Sequence, residues 1–223
     1  MEILDKISVS LQNGNFVDMP EWIQQALIQG ISPSEVLNDA LVPGMNLVGD
    51  KFRRDEIYMP EVLVAAKAMK AAMAVLRPKL IEKGVETAGT IVLGTVKGDL
   101  HDIGKNIVGI LFEGAGYQVI DIGVDVAPER YVEVVKTRKP DIVGLSSLLT
   151  TTMPRMREVI QCLAEAGLRD SVIVMVGGAP VTEKFCQDIG ADAYSADAAS
   201  AVEKARAMKL LNGLGGPKHL YEN

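Results

Sequence analysis

The stretch Asp99-Leu100-His101-Asp102-Ile103-Gly104 holds one of the two histidines of the chain and stands between an expected strand and an expected helix. The preceding run, Thr90-Ile91-Val92-Leu93-Gly94, is apolar and largely β-branched, which is typical of a buried parallel strand. From Gly104 to Gly116, apolar residues recur at helical spacing. We therefore expect His101 in a strand-to-helix loop, the part of α/β proteins that binds ligands.

Asp99 precedes His101 by two residues, which is close enough for its carboxylate to accept a hydrogen bond from one ring nitrogen. Such a bond fixes the tautomer of the imidazole and makes the other nitrogen a better metal ligand. Taken alone, the pattern leaves two interpretations open. It is compatible with metal ligation and also with a plain surface or capping role, because zinc sites normally show three or four ligands.

The length and composition bound the class of protein. The chain has 223 residues, of which 48% are apolar and 23% charged, so it can bury a proper core in one large domain or two small ones. Cys162 and Cys186 fall in expected helices without a Cys-x-x-Cys pattern, which argues against a disulfide or zinc framework. With no apolar stretch near the roughly 18 residues of a membrane span and no leader-like start, we expect a soluble, cytoplasmic protein without a membrane partner.

The charge distribution argues against nucleic acid as a partner. The formal net charge is −6, and the lysines and arginines are scattered rather than clustered in a stripe. Aromatic residues make up only 4% of the chain, so platforms for base stacking are not expected either.

Residues 1–86 read as helices without a convincing strand. Helices are predicted over 3–12, 17–29, 33–51 and 60–80, which together suit an all-α four-helix cap domain. Ser32 and Glu35 have the spacing of a capping box at the start of the third helix. In the fourth helix, one apolar face is predicted, consisting of Leu63, Ala66, Met69, Met73 and Leu76.

Residues 89–213 alternate short apolar runs with amphipathic segments. Strands are predicted at 90–95, 117–122, 141–146, 172–176 and 192–195, each followed by a helix. Five βα units indicate an α/β, flavodoxin-like (Rossmann-type) domain with a five-stranded parallel sheet in the order 2-1-3-4-5. In that order, the loops after strands 1, 3 and 4 rim one crevice. The linker near 84–89 is a candidate hinge, and residues 214–223 read as a loose tail.

Three motifs in these loops occur together: Asp99-x-His101-x-x-Gly104, Ser146-x-Leu148 and Gly177-Gly178. In order and approximate spacing, they resemble the cobalamin-binding motif of the methionine synthase and corrinoid methyltransferase family. The first half is similar to the helical cap of that family, in Gly49-Asp50-x-Phe52 and Tyr58-Met59-Pro60-Glu61. The resemblance covers nearly the whole chain. Its size is similar to that of the stand-alone corrinoid proteins of methylamine, betaine, methanol or methoxy-aromatic methyltransferase systems.

The resemblance implies a role for each motif residue. His101 would be the lower axial ligand of cobalt, displacing the dimethylbenzimidazole base of the cofactor, and Ser146 would hydrogen-bond that base. Asp99 would bind the imidazole and contact the hydroxyl of Thr152, which stands where the methionine synthase branch has a serine; His101, Asp99 and Thr152 would form the catalytic set. The other implied cobalamin contacts are Gly94, Asp102, Ile103, Gly104, Leu148, Thr150, Gly177 and Gly178. Phe52 and Met59 either cover the upper face of the corrin or belong to the core of the cap.

By the same resemblance, the protein would be a methyl carrier and not an enzyme on its own. It would accept a methyl group on Co(I) from a substrate-specific methyltransferase. As methyl-Co(III), it would serve a second methyltransferase with tetrahydrofolate or a thiol as acceptor, and a reductive activase would be a third partner. The rival from another class is a cobalamin-binding sensor. A third interpretation, a receiver or nucleotide-binding domain, requires a phospho-acceptor arrangement or a Gly-x-Gly-x-x-Gly run, and the sequence has neither.

Overall fold

The computed structural model describes residues 2–82 and 88–213. These residues group into two compact units. The first contains the described residues up to Ala88 together with Glu113–Tyr117, and the second contains Gly89–Phe112 and the described residues from Gln118 onward. The predicted tail at 214–223 and most of the predicted hinge lie outside the described residues.

The first unit has helical segments throughout, as predicted for the cap. They are α1 (Ile3–Gln12), α2 (Met19–Ile28), α3 (Pro33–Glu35), a π-helix (Val36–Leu41), α4 (Val42–Arg53) and α5 (Met59–Glu82). The predicted capping box is confirmed: the Ser32 amide donates to Glu35 Oε2 at 2.8 Å, and the Glu35 amide donates to Ser32 Oγ at 3.2 Å. It satisfies two of the amides that a helix start leaves without intrahelical partners.

The third predicted helix, 33–51, is not a regular α-helix. Its central part, Val36–Leu41, is a π-helix, and α4 continues to Arg53. Pro43, in the first turn of α4, lacks the amide that would bond to the carbonyl of Asp39, and this accounts for the locally wider turn. The periodicity of the sequence does not carry this information, because apolar residues recur on one side through both helical forms.

The predicted apolar face of α5 was partly wrong. Met69 and Leu76 are buried as expected, whereas Leu63 is half exposed. Apolar residues occupy five consecutive positions from 62 to 66, so the spacing fits two neighbouring faces equally well. The face that packs in the structure consists of Val62, Ala65, Ala68, Met69, Ala72, Leu76 and Leu80.

The second unit confirms the predicted α/β architecture. Its sheet has five strands in the order β2-β1-β3-β4-β5, and the pairs β1/β3, β3/β4 and β4/β5 are parallel. The strands are β1 (Gly89–Thr95), β2 (Tyr117–Asp121), β3 (Ile142–Ser146), β4 (Ile173–Gly177) and β5 (Ala193–Ser195). The helices are α6 (Ile103–Gly114), α7 (Pro128–Arg138), α8 (Pro154–Glu165), α9 (Glu183–Asp188) and α10 (Ala198–Gly213), with a 3₁₀ turn at Arg169–Ser171.

The strand register places the carboxyl ends of the three central strands side by side. Thr95 of β1 lies opposite Ser146 of β3, and Ser146 lies opposite Gly177 of β4. Behind this edge, buried residues of the sheet and of α8 form one cluster. Val143 and Leu145 of β3 and Val174 of β4 lie in it together with Met156 and Val159 of α8. Since this core fixes the strands, it also fixes where the loops after β1 and β3 begin.

Among the described residues, no helix is both long enough and apolar enough to cross a membrane. Cys162 of α8 is half-buried, Cys186 of α9 is buried, and neither is in a disulfide.

Candidate functional site

The loop between β1 and α6 holds a fully buried carboxylate, that of Asp99. Its Oδ2 accepts hydrogen bonds from the Leu148 amide at 2.8 Å, the Leu149 amide at 3.3 Å and the Thr152 hydroxyl at 2.8 Å. Its Oδ1 accepts from the His101 amide at 3.1 Å and lies 2.7 Å from Nδ1 of the His101 ring. The carboxylate therefore ties the loop after β1 to the loop after β3.

These bonds determine the ionisation of Asp99. Burial by itself would raise the pKa of the carboxyl group, because it penalises the charged form. The hydrogen bonds from Leu148, His101 and Thr152 act in the opposite direction and outweigh burial, so the pKa of Asp99 lies well below its ordinary value. At neutral pH, Asp99 is a carboxylate and acts as an acceptor only.

An ionised Asp99 decides the tautomer of His101. Since the carboxylate can only accept, the neutral form of the ring carries its proton on Nδ1 and its lone pair on Nε2. The His101 side chain is half exposed, and within the part of the chain that the structure describes, no group hydrogen-bonds to Nε2. A neutral imidazole held by a carboxylate, with a free and accessible second nitrogen, is the usual arrangement of a metal-ligating histidine.

Two buried hydroxyl groups stand behind Asp99. Thr152 Oγ1 lies 2.8 Å from Ser147 Oγ, and Ser147 Oγ also approaches Asp99 Oδ2 at 3.4 Å. Thr152 and Ser146 were predicted from the sequence as site residues, whereas Ser147, which is fully buried, was not. The sequence feature that could have indicated Ser147 is its place as the second serine after an apolar strand. Ser146 is half-buried at the end of the strand, and Ser147 after it is buried.

Thr95 is a second residue that the sequence analysis missed. It is fully buried at the end of β1, and its hydroxyl donates to the main-chain carbonyl of His101 at 2.8 Å. A polar residue that ends an otherwise apolar strand was the signal for it. The bond holds the backbone of His101 to the strand end, whereas Asp99 holds its ring.

The surroundings of His101 suit a flat, largely apolar ligand. Leu100 and Ile103, which flank it in the loop, are each 71% exposed, and the side chains of Leu148 and Leu149 are partly exposed as well. Apolar side chains held outward beside a free ligand nitrogen form a binding surface when they are contiguous with it. Asp102, Gly104 and Thr150 are also exposed, and a side chain at Gly104 would meet open space.

At three of the predicted cofactor-contacting glycines, Gly94, Gly177 and Gly178, a Cβ atom would lie too close to other atoms of the protein. A Cβ atom at Gly94 would collide with the hydroxyl of Tyr131 and would lie 2.9 Å from Ile122 Cγ1. At Gly178, where φ is +129°, it would collide with the main-chain carbonyl oxygen of Ser147. At Gly177 it would lie 3.2 Å from the Ser195 carbonyl oxygen. Contact of these glycines with a cofactor stays a prediction.

Phe52 and Met59 lie in the first unit, at the end of α4 and the start of α5. Both are half-buried, unlike Met45 and Val48 of α4, which are buried in the core. Packing inside the cap therefore accounts for only part of their surface, and their role on a corrin face stays a prediction.

A parallel α/β domain with a carboxylate-held histidine in the loop after its first strand defines a cobalamin-binding domain, and the comparison with family models agrees. Residues 89–205 match a B12 binding domain, and residues 3–77 match a second, helical B12 binding domain. The chain belongs to the B12-binding corrinoid proteins. Its cofactor is a corrinoid.

Relatives with known names support this membership. Trimethylamine corrinoid protein 2 of Methanosarcina acetivorans is 42% identical over 208 residues, which span 92% of this chain and 96% of the relative. A cobalamin-binding protein from Desulfitobacterium hafniense is 35% identical, with a TM-score of 0.77 over 92% of this chain and 97% of the other. The methanol:cobalamin methyltransferase complex of Methanosarcina barkeri contains a chain with 32% identity and a TM-score of 0.81, over 92% of this chain and 79% of that one.

The hydroxyl of Thr152 can be tested through protein stability. We expect Thr152→Val, which keeps the shape of the side chain, to lower the free energy of unfolding by about 1–3 kcal/mol, because buried Asp99 and Ser147 each lose a hydrogen-bond partner. The measurement is urea unfolding of the cofactor-free protein. Thr152→Ser is the matched control, since it keeps the hydroxyl. Equal stability of the Val and Ser variants would contradict a structural role for the Thr152 hydroxyl.

Proposed function

We propose that this protein carries a methyl group on a corrinoid between two enzymes, with His101 Nε2 as the lower axial ligand of cobalt. The observation that carries the proposal is the pairing of His101 Nδ1 with the buried, ionised Asp99, which leaves Nε2 free and accessible. When bound, the corrinoid supplies a cobalt ion that alternates between Co(I) and methyl-Co(III). The residues of the chain supply its binding, orientation and axial ligand.

The histidine and its hydrogen-bond partners suit a ligand that must bind and release. With its proton on Nδ1, the imidazole offers a lone pair at Nε2 and can hold a metal ion. Uptake of a second proton at Nε2 would occupy that lone pair and favour release, and Asp99 would stabilise the resulting imidazolium. The hydroxyl of Thr152 donates to the carboxylate and helps to hold it in place.

The proposed partners follow from the relatives by name. A trimethylamine corrinoid protein and a chain of a methanol:cobalamin methyltransferase complex are both similar to this chain over most of its length. We propose a substrate-specific methyltransferase as donor enzyme, a second methyltransferase with tetrahydrofolate or a thiol as acceptor, and a reductive activase. On this proposal the chain is a subunit and does not catalyse transfer alone. A reducing cytoplasm is the proposed location, in keeping with two cysteines that form no disulfide.

The sensor alternative is not favoured, because the named relatives are corrinoid proteins of methyltransferase systems. The experiment that separates the two functions starts from purified protein incubated with hydroxocobalamin and passed over a desalting column. We expect equimolar retained cobalt. After reduction, addition of trimethylamine and a trimethylamine:corrinoid methyltransferase should produce the absorption spectrum of methyl-cobalt, and omission of the amine should not.

Each negative result has a distinct meaning. A folded protein that retains no cobalt would contradict cobalamin binding. A loaded protein that is methylated by none of the methyltransferases specific for methylamines, betaines, methanol or methoxylated aromatic compounds would contradict the carrier role and favour the sensor.

A further inference from the structure

A residue outside all the cobalamin motifs, Asp125, holds the loop between β1 and α6 at Gly98 and Asp99, shortly before His101. Asp125 lies between β2 and α7 and is exposed. Its Oδ1 accepts a hydrogen bond from the Gly98 amide at 2.7 Å, and its own amide donates to the Asp99 carbonyl at 3.0 Å. The two bonds bracket the dipeptide Gly98-Asp99, whose carboxylate in turn holds His101.

The backbone at this point is unusual on both sides of the contact. Asp125 has a φ of +53° and Gly98 a φ of +82°. A left-handed conformation is strained for most residues but is tolerated by Asp, Asn and Gly. In this conformation, the amide and the carboxylate of Asp125 both contact the dipeptide Gly98-Asp99.

Neighbouring bonds fasten the same two loops. The Val126 amide donates to the Thr95 carbonyl, and the Thr95 amide donates to the Gly123 carbonyl, each at 3.0 Å. The Thr95 hydroxyl then holds the carbonyl of His101. The segment from Thr95 to His101 is therefore attached to the β2–α7 loop near its start and near its middle. The Asp125 carboxylate adds a side-chain bond to this attachment at Gly98, the residue before Asp99.

We propose that Asp125 is a positioning residue for the axial ligand: by clamping Gly98 and Asp99, it sets the orientation in which the Asp99 carboxylate presents the imidazole of His101. The inference rests on the proposed role of His101 as ligand. Because Asp125 is exposed, its removal leaves the hydrophobic core intact and acts on the loop.

Three substitutions separate the parts of the clamp. Asp125→Ala removes the carboxylate and the tolerance of a left-handed backbone, Asp125→Gly removes only the carboxylate, and Asp125→Asn keeps an acceptor oxygen and the backbone preference. Asp55→Ala is the matched control, since Asp55 is also exposed and has a φ of +57° but lies in the first unit.

The first readout is amide hydrogen exchange in the cofactor-free protein. We expect the Gly98 amide to exchange about tenfold faster in the Ala and Gly variants, which corresponds to about 1.4 kcal/mol. Exchange should stay near the wild-type rate in the Asn and Asp55→Ala variants. Unchanged exchange in both the Ala and Gly variants would overturn the clamp.

The second readout is the nitrogen splitting in the electron paramagnetic resonance spectrum of the cobalt(II) form, recorded on unlabelled protein and on protein labelled with nitrogen-15 histidine. Only a splitting that changes on labelling reports histidine ligation, because the nitrogen base of the cofactor also splits the signal when it is bound. We expect the ratio of histidine-bound to histidine-free cobalt to fall about tenfold in the Ala and Gly variants and to be restored in Asn. Faster exchange with unchanged ligation would overturn the positioning role. If wild-type protein shows no splitting that changes on labelling, the proposed ligand fails instead; the exchange data and the ring-nitrogen chemical shifts of His101 in cofactor-free protein still decide the clamp.

Discussion

Substitution of the proposed axial ligand, His101→Ala, should leave a folded protein that retains cobalamin about 100-fold more weakly and in a base-off spectral form. The fold should survive because the His101 side chain is half exposed and Asp99 keeps its bonds from Leu148, Leu149 and Thr152. We expect the free energy of unfolding of the cofactor-free protein to change by less than about 1 kcal/mol. The measurements are the absorption spectrum of the reconstituted protein and its unfolding curve.

His101→Gln serves as the control for the hydrogen bond to Asp99. Glutamine keeps a side-chain donor within reach of the carboxylate, but it offers cobalt an amide, which is a poorer ligand than imidazole. If ligation is the role of His101, the Gln variant should resemble the Ala variant. A wild-type spectrum in His101→Ala would remove His101 as ligand, and a wild-type spectrum in Gln alone would assign its importance to the bond with Asp99.

The sheet could be predicted from the sequence because its signals are local. The run from Thr90 to Gly94 is β-branched and apolar, and β1 follows it from Gly89 to Thr95. The same kind of run precedes Ser146 and Gly177, which end β3 and β4. The strand order follows from the general rules of parallel α/β sheets once five βα units are recognised. The face of α5 could not be chosen in this way, because Val62 and Leu63 are equally apolar and only packing distinguishes them.

In the candidate site as well, contacts between residues close in sequence could be predicted, whereas contacts between distant loops could not. Asp99 and His101 are two residues apart, so their contact could be expected from spacing alone, and the structure places Asp99 Oδ1 2.7 Å from His101 Nδ1. Ser147 and Asp125 were not found, because their contacts with Asp99 and Gly98 depend on the course of loops that join different strands. A serine or aspartate in a loop has several ordinary roles in turns and caps. Only the three-dimensional arrangement selects among them.

The largest expected loss of stability is at Gly178, the second glycine of the pair at the end of β4. We expect Gly178→Ala to lower the free energy of unfolding by about 4 kcal/mol or more. Two causes add at this position: a φ of +129° is strained for residues with a side chain, and the new Cβ would collide with the carbonyl oxygen of Ser147 and lie 2.8 Å from its carbonyl carbon. Since the obstacle is main chain, no rotamer change relieves it. Chemical denaturation of the cofactor-free protein is the measurement.

Gly167→Ala is the matched control, because Gly167 also has a positive φ, +68°, but a Cβ there would meet open space. It should cost only about 1–2 kcal/mol, the intrinsic penalty of a left-handed backbone. The difference between the two variants then reports the contact with Ser147 together with the greater backbone strain at a φ of +129°. If both variants lose the same stability, the close approach to Ser147 is absent. Contact with the cofactor would then be the remaining explanation for a glycine at position 178. A larger loss in Gly178→Ala would mean that this glycine is required before any corrinoid binds, since it lets β4 approach the residue whose hydroxyl supports Thr152 and Asp99.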